Sequence, residues 1–373
     1  MFKFKALCAA VVAANLSTPV AAAPLADTGI PTDLILPVAL KPTLDASRMV
    51  LSRELWDNYK AKFITDDGRV VDNDNGNVSH SEGQGYGMLL AAFADDQETF
   101  QKLWRWTAKE LYIRGDNLAA WRWKPAETPH VQDRNNATDG DLLIAWALAE
   151  AASRWKIAEY RSNAHKIALD VGRLATASNP NGRVISPGIN GFGAKDMKDG
   201  PVVNLSYWVF PAIEVLKNIA PEIDWISIKQ SGLKLLKASG AGPSRLPPDW
   251  LSLADNTIAP AKDYPARFGY DAIRIPLYLA WGGTLDREAL AIFNQTWRNL
   301  PDGRPSVVDV TTGQTAESFG EPGYQAIVAL TRCAAEGSKF PVELMNVKLE
   351  HYYPATLHVL SLILAGHRYS KCF

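Results

Sequence analysis

Cysteine is nearly missing from this sequence. Three occur in 373 residues, and the six histidines are scattered, with no Cys/His spacing of the kind that holds zinc. No metal or cofactor is expected. Neither sign of charge dominates, with 39 Lys and Arg against 40 Asp and Glu. A general attraction for nucleic acid or an anionic membrane is thereby excluded, and an uncharged partner is expected. Long polar tracts are absent too, as is any G-K-[ST] following a Gly-rich turn, so the signature of a phosphate-binding loop is missing.

Aromatic residues are plentiful: 12 Trp, 12 Tyr and 12 Phe. A flat apolar ring with a polar edge suits core packing and equally suits stacking on a ligand. The ordinary reading for any one of them is core.

The N-terminus reads "MFKFKALCAAVVAANLSTPVAAAPLAD". Lys3 and Lys5, a short apolar segment and the small residues Ala21-Ala22-Ala23 make a secretory signal peptide within residues 1–23, too short to anchor in a membrane. Cleavage after Ala22 is favoured over Ala23, because Pro24 is a poor first residue. The exported chain inserts in no membrane and keeps Cys333 and Cys372, for which a disulfide and two free thiols are both open. Residues 24–44 read as an extended lead-in. With no later shift in composition, residues 45–373 read as one catalytic domain.

Helical patterns fill that domain. Phe100, Leu103, Trp104, Thr107 and Leu111 recur at helical spacing, and Leu142 to Trp155 is apolar on nearly every side, as in a helix enclosed by other helices. Leu205, Trp208, Val209, Ala212, Ile213 and Leu216 share a face. Pro276 is expected to kink or end its helix. Gly/Pro/Asn/Asp-rich loops separate the helices, with short Val- and Ile-bearing pieces that suit small strands. An all-α bundle of about a dozen helices with long loops on one side follows.

Three acids stand at loop-to-helix junctions. In "SHSEGQGYGMLLAAF", S-x-x-Q marks Ser81 as N-cap and Glu82 as the first helical residue. Gly83, Gly85 and Gly87 each cost helix stability, which suggests that a ligand approaches the backbone there. The plainer reading is an anion favoured at a helix N-terminus. In "NNATDGDLLIAWAL", Thr138 or Asp139 is a natural N-cap, leaving one of Asp139 and Asp141 to face a cleft. In "FGYDAIRIP", Asp271 and Arg274 lie three apart, by default a surface pair. Together, exported carboxylates with aromatic platforms suit glycosidic bond hydrolysis, in which one carboxylic acid protonates the leaving oxygen and a second carboxylate activates water or attacks the sugar.

"SEGQGYGM", "ATDGDLLIAWALAEAASRW" and "YDAIRIP" resemble the three signature blocks of glycoside hydrolase family 8, and within it the periplasmic endo-β-1,4-glucanases of bacterial cellulose synthesis. The likeness runs from about Leu55 to the C-terminus. It implies an (α/α)6 barrel with the substrate groove across one end, and hydrolysis with inversion. By resemblance, Glu82 is the general acid, Asp271 the general base and Asp139 the carboxylate that holds the distorted sugar. Tyr207, Tyr270 and Arg274 position water, base and sugar, and Trp121 is a stacking platform. A helix N-terminus favours an ionised carboxylate, whereas a general acid must keep its proton. Asp139 and the loss of water under a bound chain are expected to override the dipole.

The expected partner is a β-glucan chain of soluble or amorphous cellulose, with the cellulose synthase export apparatus as a further partner and a periplasmic or secreted location. The alternatives are the same machinery acting on xylan, chitosan or mixed-linkage glucan, and a non-catalytic glucan-binding protein.

Overall fold

The computed structural model describes residues 51–240, 242–282, 287–298 and 304–373. The expected signal peptide and lead-in lie outside the described residues. Eleven α-helices occur among those described. Five are outer: α1 (Arg53–Phe63), α3 (Gln97–Glu110), α5 (Ala158–Leu174), α7 (Trp225–Ser239) and α9 (Arg287–Arg298). Six are inner: α2 (Ser81–Phe93), α4 (Thr138–Trp155), α6 (Phe210–Leu216), α8 (Ile275–Trp281), α10 (Pro322–Glu336) and α11 (Tyr352–Arg368).

The sequence sorts the two rings. In α3, Phe100, Leu103, Trp106 and Thr107 are buried along one stripe, as an outer helix requires. Nearly every residue of α2, and of α4 from Thr138 to Ala149, is buried, because neighbours cover these stretches on all sides. The inner helices pack in the order α2, α4, α6, α8, α10 and α11. The Tyr352 hydroxyl of α11 closes the ring by donating to the Gly83 carbonyl of α2 at 3.4 Å. This is an (α/α)6 barrel, in which the link between α10 and α11 carries only a 3-10 turn, Val342–Met345, instead of a full outer helix. No helix among the described residues is long and apolar enough to cross a membrane.

Aromatic side chains fill the barrel. Trp281, at the end of α8, stacks on Phe93 at 5.6 Å and meets Trp146 edge-on at 5.4 Å, plugging the end where α2 and α8 finish. Trp208, Trp225 and Trp297 are fully buried as well, so the ordinary core reading holds for these five.

At the opposite rim, short strands lead into the inner helices. β1 (Ser79–His80) pairs antiparallel with β2 (Arg122–Trp123) immediately before α2. β3 (Thr176–Asn179) and β4 (Gly182–Ile185) form a hairpin, in a loop where small strands were expected. β5 (Val202–Val203), β6 (Leu251–Ser252) and β7 (Ala259–Pro260) make one small sheet. β8 (Arg267–Phe268), β9 (Ser306–Asp309) and β10 (Thr315–Ser318) make another.

Pro276 departs from expectation. It sits in the first turn of α8, where its missing N–H would have had no helical acceptor, so it starts the helix without kinking or ending it. Cys333 and Cys372 form a disulfide with their Cα atoms 5.9 Å apart, tying the last turn of α10 to the C-terminal segment.

Candidate active site

Arg274 is the centre of the rim. It closes a 3-10 turn, Ala272–Arg274, directly before α8, and only 2% of it is exposed. The surface Asp–Arg pair expected from spacing is therefore wrong: the guanidinium turns inward. Its Nη1 donates to Glu82 Oε1 and, at 3.0 Å, to Asp139 Oδ2. Its Nη2 donates to Ser206 Oγ at 2.9 Å and to Asp271 Oδ1 at 3.3 Å. One planar fork thus gathers three carboxylates and a hydroxyl, which a single-point ammonium could not do.

Glu82 stands in the first turn of α2 with 18% of its side chain exposed. Its surroundings differ from expectation in two respects. The N-cap is His80 rather than Ser81, with His80 Nδ1 accepting from Gly83 N at 2.9 Å. Gln84 does not turn back to close a capping box. It accepts from Val70 N at 2.6 Å and donates to Thr107 Oγ1 at 2.7 Å, tying α2 to the outer layer. The glycines serve packing and not ligand approach. A Cβ on Gly85 would lie 2.6 Å from Leu143 Cβ of α4, and one on Gly87 would lie 2.7 Å from Val70 Cγ2.

Asp139 is the second residue of α4. Neither it nor Thr138 is the N-cap, which is Ala137; the Thr138 hydroxyl donates to the Ser186 carbonyl at 2.7 Å instead. Asp139 Oδ1 accepts from Gly140 N at 2.8 Å, leaving Oδ2 for Arg274. Burial pushes its carboxyl up to about 7; Arg274 works against that lift and the Glu82 charge adds to it. Asp141 points away, accepting from Ala119 N and Asn136 Nδ2 at 2.8 Å each, and burial pushes it up to about 8.

Asp271 keeps 31% of its side chain open, the most of the three acids. Loss of water in the surrounding packing still raises its carboxyl above the usual range, with Arg274 opposing and Glu82 reinforcing. Behind it lies Asp249, a buried acid whose Oδ1 accepts from Gly269 N at 2.9 Å and Ala272 N at 3.0 Å, fixing the backbone on both sides of Asp271.

Tyr207 ends the 3-10 turn Leu205–Tyr207. Burial, then the charges of Asp139 and Asp271, raise its phenol. Tyr270 is adjacent to Asp271, but its hydroxyl donates to Glu317 Oε1 at 3.1 Å and not to an acid of the centre. Trp121 lies at the foot of α2: its carbonyl accepts from Ser81 N at 3.0 Å, its Nε1 donates to Asp133 at 2.8 Å, and the Arg122 guanidinium covers its ring at 4.1 Å.

Sequence reading missed His80, Ser206 and Asp249. The first two were legible as close neighbours of Glu82 and Tyr207. Asp249 carried no local signal, since its partners are 20 and 23 residues downstream.

Residues 28–367 match the family described as "Glycosyl hydrolases family 8". A "Probable endoglucanase" of Novacetimonas hansenii is 40% identical over 314 residues, covering 83% of this chain and 89% of that protein. An "Endoglucanase" of Cellulomonas uda is 40% identical over 280 residues, covering 74% and 76%. Among solved structures, an endo-β-1,4-glucanase from Acetobacter xylinum superposes with a TM-score of 0.76 at 38% identity, over 84% of this chain and 97% of that one.

Proposed function

The chain belongs to the glycosyl hydrolases of family 8, and from that premise we propose how its endo-β-1,4-glucanase activity is divided among the side chains gathered on Arg274. Glu82 is the general acid. Its proton passes to the glycosidic oxygen as the bond from that oxygen to the anomeric carbon breaks. Asp271 is the general base: it takes a proton from water as the water oxygen attacks the anomeric carbon from the opposite face, which inverts the configuration. Asp139 holds the distorted sugar between them, with Tyr207 beside the water and Trp121 as a stacking platform.

The observation that carries this reading is the Arg274 fork, which fixes three acids from the starts of α2, α4 and α8 in one cluster. The raised carboxyls of Asp139 and Asp271 support it, because clustered acids share protons in the way acid–base chemistry needs. The substrate is a soluble or amorphous β-1,4-glucan. The leader-like N-terminus supports export, and the likeness to the endoglucanases of cellulose synthesis supports a trimming role beside the synthase; fractionation of producing cells tests the export.

The direct test is reducing-end release from carboxymethyl-cellulose, xylan and chitosan by the protein and by Glu82→Gln. Activity on the cellulose derivative, reduced by roughly 10²–10⁴ in the variant, is expected. A variant with full activity would move the acid elsewhere. Preference for xylan or chitosan would change the substrate and keep the machinery.

A further inference from the structure

His80 was not expected at the active site, yet it touches the start of the helix that presents Glu82. Its ring is fixed on both sides. Nε2 lies 3.4 Å from Asp72 Oδ2, and Nδ1 accepts from Gly83 N at 2.9 Å. An atom that accepts from an amide N–H carries no proton, so the geometry defines a neutral imidazole with its hydrogen on Nε2, facing Asp72. That same Nδ1 is only 3.9 Å from Glu82 Oε2, the carboxylate oxygen that Arg274 leaves free. The Tyr352 ring meets the imidazole edge-on at 6.0 Å, and Arg122, its cross-strand partner, turns its guanidinium over Trp121. Asp139, on α4, adds its charge as well.

The structure assigns His80, oriented by Asp72, as a positioning residue for Glu82: neutral, it caps the helix that holds the acid in place, and protonated, it gives up that cap and pairs with the Glu82 carboxylate. The two states hold the same number of protons, one proton having moved from the Glu82 carboxyl to His80 Nδ1. Taking it up deprives Gly83 N of its acceptor and turns an N–H towards Glu82. The carboxylate then lies between two cations, His80 and Arg274, and is held in the ionised form that cannot donate. His80 and Glu82 therefore compete for one proton, and the Gly83 N–H biases the competition towards Glu82. Burial lowers the affinity of His80 for a proton, but Asp72, Glu82 and Asp139 together raise it above the ordinary imidazole value, so the second state is within reach.

This inference rests on Glu82 being the general acid, and the experiment separates the two. The full chain, His80→Asn and Asp72→Asn are compared for kcat and KM on carboxymethyl-cellulose across pH 4–9, with imidazole nitrogen shifts followed by NMR in the full chain and in Glu82→Gln. Asn is itself a good N-cap, so His80→Asn keeps the helix start while removing the titration. The expected result is an alkaline limb of kcat that coincides with loss of the proton that His80 and Glu82 share. In His80→Asn that limb moves towards acid and the plateau of kcat rises, because the proton then has a single site, with KM within about twofold. In Asp72→Asn the limb moves towards acid, since the orienting charge is gone. In Glu82→Gln the His80 midpoint falls. Unmoved limbs in both variants, or a His80 midpoint indifferent to Glu82→Gln, would reduce His80 to a helix cap and overturn the assignment. If Glu82→Gln keeps full activity, the reading of Glu82 fails first.

Discussion

Arg274 shows how much one buried side chain can be asked to hold. A guanidinium removed from water is costly unless every N–H finds an acceptor, and here three carboxylates, a hydroxyl and a backbone carbonyl supply them. Replacing it by Lys keeps the charge and loses the fork, so Glu82, Asp139 and Asp271 can no longer be held at once. Arg274→Lys is expected to lower kcat by roughly 10²-fold, the usual cost of misplacing groups by about an ångström, with a smaller change in KM. Steady-state kinetics on carboxymethyl-cellulose check it; an unchanged kcat would show that the acids hold their places without the fork. The sequence made Asp271 and Arg274 visible as neighbours on one turn. It could not show that Arg274 faces inward, because its other partners, Glu82 and Asp139, are 192 and 135 residues away.

At the scale of elements, the position of every acid has one cause. Outer and inner helices alternate along most of the chain, so the inner helices run parallel and start at the same rim. Loop-to-helix junctions far apart in sequence thereby meet, which is why Glu82, Asp139 and Arg274 each stand within a few residues of an inner N-terminus. That much was legible from periodicity and caps. The purpose of the glycines was not, since a missing Cβ is the same sign whether a ligand or a second helix comes close. For Gly85, contact with α4 decides it. Gly85→Ala would gain up to about 1 kcal/mol of helix propensity. Its Cβ would also press on Leu143 Cβ at 2.6 Å and Ile144 N at 3.1 Å, and overpacking of this kind costs about 1–3 kcal/mol. The variant is expected to melt lower and, because α2 and α4 carry Glu82 and Asp139, to turn over more slowly. Calorimetry with kinetics checks both; a raised Tm would return the glycine to the ligand.

For the whole molecule, the buried acids set how stability follows pH. Burial pushes Asp139 and Asp249 up to about 7 and Asp141 up to about 8, whereas unfolded Asp titrates near 3.9. Between about pH 4 and 8 the folded protein therefore binds more protons than the unfolded chain, and stability must fall as pH rises through that window. At the acid end the sign reverses. Asp96 and Asp116 are depressed by Lys60 and Arg114, against the loss of water at each, and they give stability that disappears as pH drops below about 4. His358, lowered by burial, adds a cost on the acid side of neutrality, too small alone to offset three carboxylates. The expected curve has its highest Tm in mildly acidic solution and declines by several degrees towards pH 8. Scanning calorimetry at constant ionic strength at pH 4.5, 6 and 8 measures it, and Asp141→Asn, which cannot ionise and lies outside the Arg274 cluster, should flatten the decline. A Tm that stayed level to pH 8 would mean that these carboxylates ionise in the folded barrel at no cost. The Arg274 cluster would then hold full negative charge at rest, leaving its protons to arrive with the substrate.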